Sequence, residues 1–148
     1  MTDKTNTAVL NAKALPVSTK FSIEICNLIR NKPLSRARRL LQDAVDMKRP
    51  LQLRRHNADL GHKPGLGPAR YPIKASEMFL KLLNSVESNA ENKGLNVNNL
   101  IIIHAKADKA DARWRFGRKG RTKMKNTHVE LKVEERNLEA NKKWLRDK

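Results

Sequence analysis

The chain has 148 residues, enough for one domain and little else. Its 32 lysines and arginines outnumber its 15 aspartates and glutamates, and the resulting formal charge of +17 favours a polyanionic partner over self-association. The 39% of apolar residues can form one modest core, which excludes a wholly disordered basic tail, and no apolar run approaches the roughly 20 residues that cross a bilayer.

The first residues, MTDKTNTAVL, have neither the basic start nor the apolar stretch of a secretory signal. Cys26 is the only cysteine, so an intramolecular disulfide is impossible and a cysteine-based zinc cage is disfavoured. These features fit a reducing, cytoplasmic setting.

The positive charge is concentrated in two segments. Residues 48–72 carry six basic side chains and one acidic side chain, and residues 106–125 carry nine and two. These 45 residues therefore hold +12 of the +17, and neither segment has the periodicity of a core-forming element. The pattern indicates a binding surface on a folded body. We call residues 48–72 the basic loop and residues 106–125 the finger.

The sequence pattern of the N-terminal part predicts a flexible segment, then a strand and then a helix. Residues 1–12 are polar and are predicted to be flexible. A short strand is predicted over Lys13–Val17, where Pro16 confines it to a sheet edge or an irregular stretch. Ser18 is a suitable N-cap for the first helix. The apolar stripe of that helix consists of Phe21, Ile25, Leu28 and Ile29.

A second helix is predicted after a short break. Asn31 can adopt the left-handed conformation that ends a helix, and Pro33 suits the first turn of the next one. The apolar stripe of this helix consists of Ala37, Leu40, Leu41, Ala44 and Val45. The opposite face is predicted to carry Arg36, Arg38 and Arg39.

The basic loop is predicted to be ordered but irregular. Its prolines and glycines interrupt any regular element, and they are Pro50, Gly61, Pro64, Gly65, Gly67, Pro68 and Pro72. A loop of this length without regular structure usually serves a function. His56, Asp59 and His62 have the spacing of a two-histidine, one-carboxylate metal triad. Because the loop is crowded by arginine and lysine, we expect contacts to phosphates or bases instead of a metal.

The C-terminal half predicts one helix and a pair of strands. The helix spans about residues 73–93 and ends at Gly94. Its stripe consists of Ala75, Met78, Phe79, Leu82, Leu83, Val86 and Ala90. Strands are predicted at Leu100–Ala105 and at about residues 128–134, and the simplest topology joins them as a hairpin whose arms run past the body. Residues 135–148 predict a short polar helix.

The finger has the composition that folded RNA attracts. Arginine and lysine neutralise phosphates, aromatic faces stack on bases, and glycine allows close approach. Trp114 and Phe116 flank Arg115 and have no periodic core to join. A merely solvated basic loop is disfavoured by the charge density and the flanking strands. The segment has none of the short motifs of sequence-specific RNA readers.

No catalytic constellation is visible. Cys26 lies in an amphipathic helix without a basic neighbour in sequence, as is typical of a buried structural thiol. Gly61 and Gly65 are not followed by the Lys-Ser/Thr pair of a P-loop. His104 and His128 are interpreted as strand residues, and the carboxylates form no acid–base pair.

Three segments together resemble one known family. They are MKRPLQLRRHNADLGHKPG at 47–65 with GPARYPIKA at 67–75, VESNAENKGLNVNNLIIIH at 86–104, and FGR at 116–118 leading to NTHVELKVEE at 126–135. In this order they resemble the universal large-subunit ribosomal protein twenty-two family in its archaeal and eukaryotic form. The resemblance covers about residues 13–135.

The resemblance implies an α+β fold, with three helices packed on a small antiparallel sheet and a long protruding β-hairpin. A single domain would span residues 13–135, between a flexible N-terminus and a C-terminal extension at 136–148. In this family the body binds ribosomal RNA and the hairpin reaches the nascent-peptide exit tunnel. Only eleven residues separate His104 from Phe116, which predicts a short finger.

We therefore expect a structural constituent of the cytoplasmic large ribosomal subunit, with no enzymatic activity, cofactor, membrane contact or small-molecule substrate. The expected partners are large-subunit ribosomal RNA, neighbouring ribosomal proteins and, near the tip of the finger, the nascent chain. A free-standing RNA- or DNA-binding factor and a small basic nuclease are the alternatives. The residues expected to contact RNA are Arg54, Arg55, His56, His62, Lys63 and Arg70 in the basic loop, and Lys109, Arg113, Trp114, Arg115, Phe116, Arg118, Lys119, Arg121, Lys123 and Lys125 in the finger.

Overall fold

A computed structural model of the chain describes residues 6–55 and 57–136. Within these ranges the chain forms three α-helices and six β-strands. In chain order they are β1 (Thr7–Leu15), α1 (Thr19–Ile29), α2 (Leu34–Val45), β2 (Leu51–Gln52), β3 (His62–Lys63), β4 (Gly67–Arg70), α3 (Ile73–Asn92), β5 (Leu100–Lys109) and β6 (Thr127–Glu135). The predicted α+β class, with three helices and antiparallel strands, is confirmed.

The main sheet is antiparallel and has the strand order β1-β6-β5, so β1 lies at an edge, as the following Pro16 predicts. On the central strand β6, alternate residues from Thr127 to Val133 are buried, which is the predicted pattern of a half-buried strand. Leu131 of β6 pairs with Leu10 on one side and with Ala105 on the other. The helices cover the buried face, where α1 packs on β5, α3 packs on β1, and α2 packs on α3.

The apolar stripes of the helices meet the sheet in one core. Phe79 of α3, Ile25 and Ile29 of α1 and Leu41 of α2 are among its largest fully buried side chains. These residues belong to the predicted stripes, so the helical periodicity correctly identified the inward faces. Leu40 is only half-buried, which marks the edge of the stripe on α2.

The residues predicted to end α1 and α3 follow these two helices directly after their cap residues. Asn31, with φ 58°, follows α1 in the left-handed region, and Gly94, with φ 73°, follows α3. Pro33 immediately precedes the first residue of α2. Ser18 is the N-cap residue of α1, but its hydroxyl makes no capping hydrogen bond, and its carbonyl oxygen accepts a hydrogen bond from the hydroxyl of Ser22 instead.

The first strand begins earlier than predicted. The expectation that residues 1–12 form a flexible segment is wrong for residues 7–12, which make up most of β1. Ala8 is fully buried, and Leu10 and Ala12 pack against the core. This period-two pattern is built from residues such as alanine and asparagine, whose weak strand preferences do not indicate a strand in the sequence. Residues 1–5 lie outside the described part of the chain.

The basic loop contains a second small sheet of strand order β2-β4-β3. The expectation of a wholly irregular loop is therefore wrong. Pro68 lies within β4, where its carbonyl oxygen accepts a hydrogen bond from the amide of Leu53 at 3.0 Å, and Gly67 has φ 70°, a conformation that favours glycine. Strands of two to four residues are too short to show a period in the sequence.

The C-terminal strands are longer than predicted on the finger side. β5 continues four residues past Ala105, so that Lys109 still pairs with Thr127 at the start of β6. The predicted C-terminal helix at 135–148 lies outside the described residues, apart from the end of β6 and Arg136.

Candidate nucleic-acid interface

The two arms of the finger stay antiparallel beyond the regular strands. The amide of Met124 donates a hydrogen bond to the carbonyl of Arg113 at 2.8 Å, and the amide of Arg115 donates to the carbonyl of Thr122 at 2.9 Å. A short 3₁₀ turn over Gly117–Lys119 then reverses the chain. The sequence has little to fill a core here, so backbone pairing holds the arms together while side chains face solvent.

The cationic side chains predicted to contact RNA are exposed on both arms. They are Lys109, Arg113, Arg115, Arg118, Arg121, Lys123 and Lys125. The side chain of Lys119, the eighth predicted cation, lies outside the described part of the structure. Within the described part of the chain, the ion pairs involve other cations and none of these seven. Asp108 lies 2.9 Å from Nζ of Lys106, and its hydrogen bond and negative charge raise the pKa of that lysine. This carboxylate therefore neutralises Lys106 and leaves the predicted contact residues free.

The two aromatic residues of the finger have different surroundings. Trp114 is 60% exposed, and Nζ of Lys123 on the opposite arm lies 4.5 Å from the centre of its ring, within range of a cation–π interaction. This cation occupies one face of the indole. Phe116 is 92% exposed. Phe116 is therefore the more accessible of the two rings, and the contact between Trp114 and Lys123 connects the two arms.

Arg54 and Arg55 are held by a buried carboxylate on α1. Glu24 is 6% exposed, and its Oε1 accepts hydrogen bonds from the backbone amides of Arg54 at 3.2 Å and Arg55 at 2.9 Å. Hydrogen bonds to a charged acceptor contribute about 1.5–3 kcal/mol each. Glu24 thus fixes the backbone from which both exposed arginines extend, although about 30 residues of sequence separate it from them.

The rest of the basic loop places its predicted contact residues on the small sheet. His62 and Lys63 form β3, Arg70 ends β4, and all three side chains are exposed. His56 lies outside the described residues, so its predicted RNA contact stays a prediction. Elsewhere in the described chain, no three His, Cys, Asp or Glu side chains are grouped to hold a metal ion.

The outer face of α2 carries basic residues that were not predicted as contacts. Arg36 and Arg39 line a groove of about 510 Å³ together with Arg49, and Asp43 is its one acidic lining residue. The signal was the spacing of Arg36 and Arg39, which places them one helical turn apart on one face. The expectation that Arg38 shares this outer face is wrong. Its side chain instead reaches α3.

Arg38 forms an interhelical contact instead of an exposed binding surface. Its Nη2 lies 2.5 Å from Oε2 of Glu87 and 2.9 Å from Oδ1 of Asn84, both on α3. The arginine is partly buried, so this contact joins α2 to α3 and removes one positive charge from the outer surface. A run of closely spaced arginines in sequence does not reveal which of them turns toward the neighbouring helix.

Cys26, which the sequence predicts to be a buried structural thiol, lies in the core. It is 2% exposed, and burial raises its pKa to about 12, so it stays protonated and unreactive near neutral pH. Among the helices described, none is long and apolar enough to span a bilayer.

The chain is similar throughout most of its length to one family of proteins. A family model described as ribosomal protein L22p/L17e matches residues 10–134. The matched region begins within β1 and ends within β6, so it includes both the basic loop and the finger.

Individual relatives agree with the family match. A protein of Archaeoglobus fulgidus named large ribosomal subunit protein uL22 is 42% identical over 142 residues, which cover 90% of this chain and 92% of the relative. A protein of the same name from Staphylothermus marinus is 39% identical over 133 residues, covering 82% and 84%. Another from Thermofilum pendens is 44% identical over 104 residues, covering 70% and 69%.

Proposed function

The chain belongs to the ribosomal protein L22p/L17e family, a family of structural ribosomal proteins and not of enzymes, and from this premise we propose that it binds ribosomal RNA in the large subunit. The RNA-binding surface comprises the finger and the basic loop. We further propose that the protein works in the cytoplasmic ribosome and contacts neighbouring ribosomal proteins there.

The observation that carries this proposal is the row of exposed cations on the finger. Seven lysine and arginine side chains are exposed along two paired arms, and none of them joins an ion pair within the described residues. Unpaired cations held on an ordered backbone can neutralise successive phosphates and release their counterions, which supplies most of the affinity for nucleic acid.

The basic loop is the proposed docking surface on the body. Glu24 fixes the backbone of Arg54 and Arg55 by accepting hydrogen bonds from their amides. Both side chains therefore extend from an ordered backbone. A planar guanidinium forms two parallel hydrogen bonds to a phosphate, and less entropy is lost when its backbone is already ordered. His62 and Lys63 lie on the small sheet of the same loop and extend this surface.

We also propose that the tip of the finger lies near the path of the nascent chain. The family resemblance supports this proposal, because the family's hairpin lines the exit tunnel. Two features of the chain agree with it: the arms stay paired beyond Lys109, and the turn at Gly117–Lys119 follows the highly exposed Phe116.

Sedimentation of cell extracts tests ribosomal association. The protein should travel almost wholly with the large subunit and stay bound during a high-salt wash. A free-standing RNA- or DNA-binding factor would be released by the wash, and that result would reject the proposal. A metal-dependent nuclease would show a cleavage activity that a chelator abolishes, which we do not expect.

Two sets of variants separate the proposed roles of the loop and the finger. Arg54→Ala combined with Arg55→Ala should reduce incorporation into large subunits, because charge-assisted contacts of about 1.5–3 kcal/mol each are lost. Trp114→Ala should permit assembly but change the response of a nascent-chain stalling reporter. Lys20→Ala, an exposed change on α1 outside both segments, is the control. If the finger variant behaves like the loop variant in both assays, the tunnel role is rejected.

A further inference from the structure

A groove separates the base of the finger from the body. It has a volume of about 380 Å³ and is lined by the segment between β1 and α1, by the first turn of α3 and by both arms of the finger. A smaller cavity of about 190 Å³ adjoins it and shares Pro16, Met124 and Lys125. The larger volume lies at the lower end of the roughly 300–1,000 Å³ typical of ligand pockets, which suits one nucleotide better than a folded partner.

The charged groups that line the groove all have the same sign. Lys74 comes from α3, and Arg115, Lys123 and Lys125 come from the finger. Arg113 adds a fifth cation in the adjoining cavity, and no carboxylate side chain lines either space. Within residues 6–55 and 57–136, no ion pair involves any of these five groups. Their mutual repulsion is relieved when an anion enters the groove.

The backbone of α3 adds to this positive potential. Its first turn contains no acidic residue, and its N-cap residue, Pro72, provides no side-chain hydrogen bond. The amide groups of Lys74 and Ala75 therefore lie at a helix start where no intrahelical acceptor exists, and both residues line the groove. These amides can donate to an anion that the cationic side chains attract.

We propose that this groove binds one phosphate of the ribosomal RNA backbone, with Lys74 as the ligand from the body and Arg115, Lys123 and Lys125 as ligands from the finger. The site rests on the RNA binding proposed above and adds to it a residue, Lys74, that the composition of the two basic segments does not reveal. A phosphate held by both parts joins the finger to the body, so RNA binding fixes the direction in which the finger extends.

The test compares single and double variants of the full chain for affinity to a large-subunit ribosomal RNA transcript. Lys74→Gln and Lys125→Gln should each weaken binding about tenfold or more, as expected for loss of a charge-assisted contact. The fold-loss of RNA affinity in the double variant should be clearly smaller than the product of the two single fold-losses, because both lysines contact the same phosphate. Lys81→Gln, an exposed change on the same helix outside the groove, should stay within twofold of the unchanged protein.

Three results would overturn the phosphate site. The first is an effect of Lys74→Gln no larger than that of Lys81→Gln, with the fold intact by circular dichroism. The second is a fold-loss of RNA affinity in the double variant that equals the product of the losses in Lys74→Gln and Lys125→Gln. The third is inhibition of RNA binding by inorganic phosphate, beyond that of chloride at equal ionic strength, that is equally strong in the Lys74→Gln variant, because competition in this groove requires Lys74. If the unchanged protein itself fails to bind the transcript, the proposed function fails instead.

Discussion

Phe116 and Trp114 differ in the ring surface that each can offer to a base. Phe116 is 92% exposed, whereas Lys123 covers one face of Trp114. Because base–aromatic stacking contributes about 1–3 kcal/mol per base, Phe116→Ala should weaken RNA binding about 5- to 150-fold at fixed salt. Phe116→Tyr keeps the ring and serves as the control, so equal losses in both variants would exclude stacking.

Glu24 is expected to affect RNA binding without touching RNA. Glu24→Ala removes the acceptor of two backbone amides and should lower both the stability of the protein and its RNA affinity, whereas Glu24→Gln keeps an oxygen acceptor and should restore most of both. The decisive measurement is made in protein that already carries Arg54→Ala and Arg55→Ala. Glu24→Ala should change RNA affinity little in that background, and a full additional loss would contradict a positioning role.

The exposure of the finger side chains could be predicted because their composition departs from that of a core. Arginine, lysine and aromatic residues without apolar periodicity mark a surface whatever its exact geometry. The roles proposed for Glu24 and Lys74 could not be predicted, since each depends on a segment distant in sequence that the fold brings close. The contact of Arg38 with Glu87 could not be predicted either, because it depends on the packing of α2 on α3.

At the scale of elements, the finger should be dispensable for folding of the body. None of the side chains described in residues 111–125 is buried, whereas Ala110 is 5% exposed and its amide donates to the carbonyl of Asn126. Replacing residues 111–125 with an Asn-Gly turn closes the hairpin at this pair and should preserve cooperative unfolding.

The fully buried Phe79 provides the contrasting change for the same denaturation experiment. Phe79→Ala leaves a cavity between α3 and the sheet and should lower the free energy of unfolding by about 3–5 kcal/mol. If the shortened protein loses as much stability as Phe79→Ala, the finger is part of the folding unit and the separation of body and finger is wrong.

Elements with long apolar periods were predictable, and short or edge elements were not. α3 has seven stripe residues over five turns, so its pattern exceeds chance, and the alternation of β6 is equally clear. By contrast, β2 and β3 are two residues each and are defined by pairing with β4. β1 is an edge strand in which three alanines give a weak apolar signal, and its place depends on pairing with β6.

At the scale of the whole molecule, RNA binding should depend steeply on salt. The net charge is +17, and about eight phosphates neutralised by the finger, the basic loop and Lys74 give an expected log–log slope of roughly −6 to −7. The measurement is affinity for the ribosomal RNA transcript over a series of KCl concentrations. The protein with residues 111–125 replaced by Asn-Gly should give a much shallower slope, because seven of the cations lie in that segment. A full-length slope near −1, or equal slopes for the two proteins, would show that the interface lies elsewhere on the molecule.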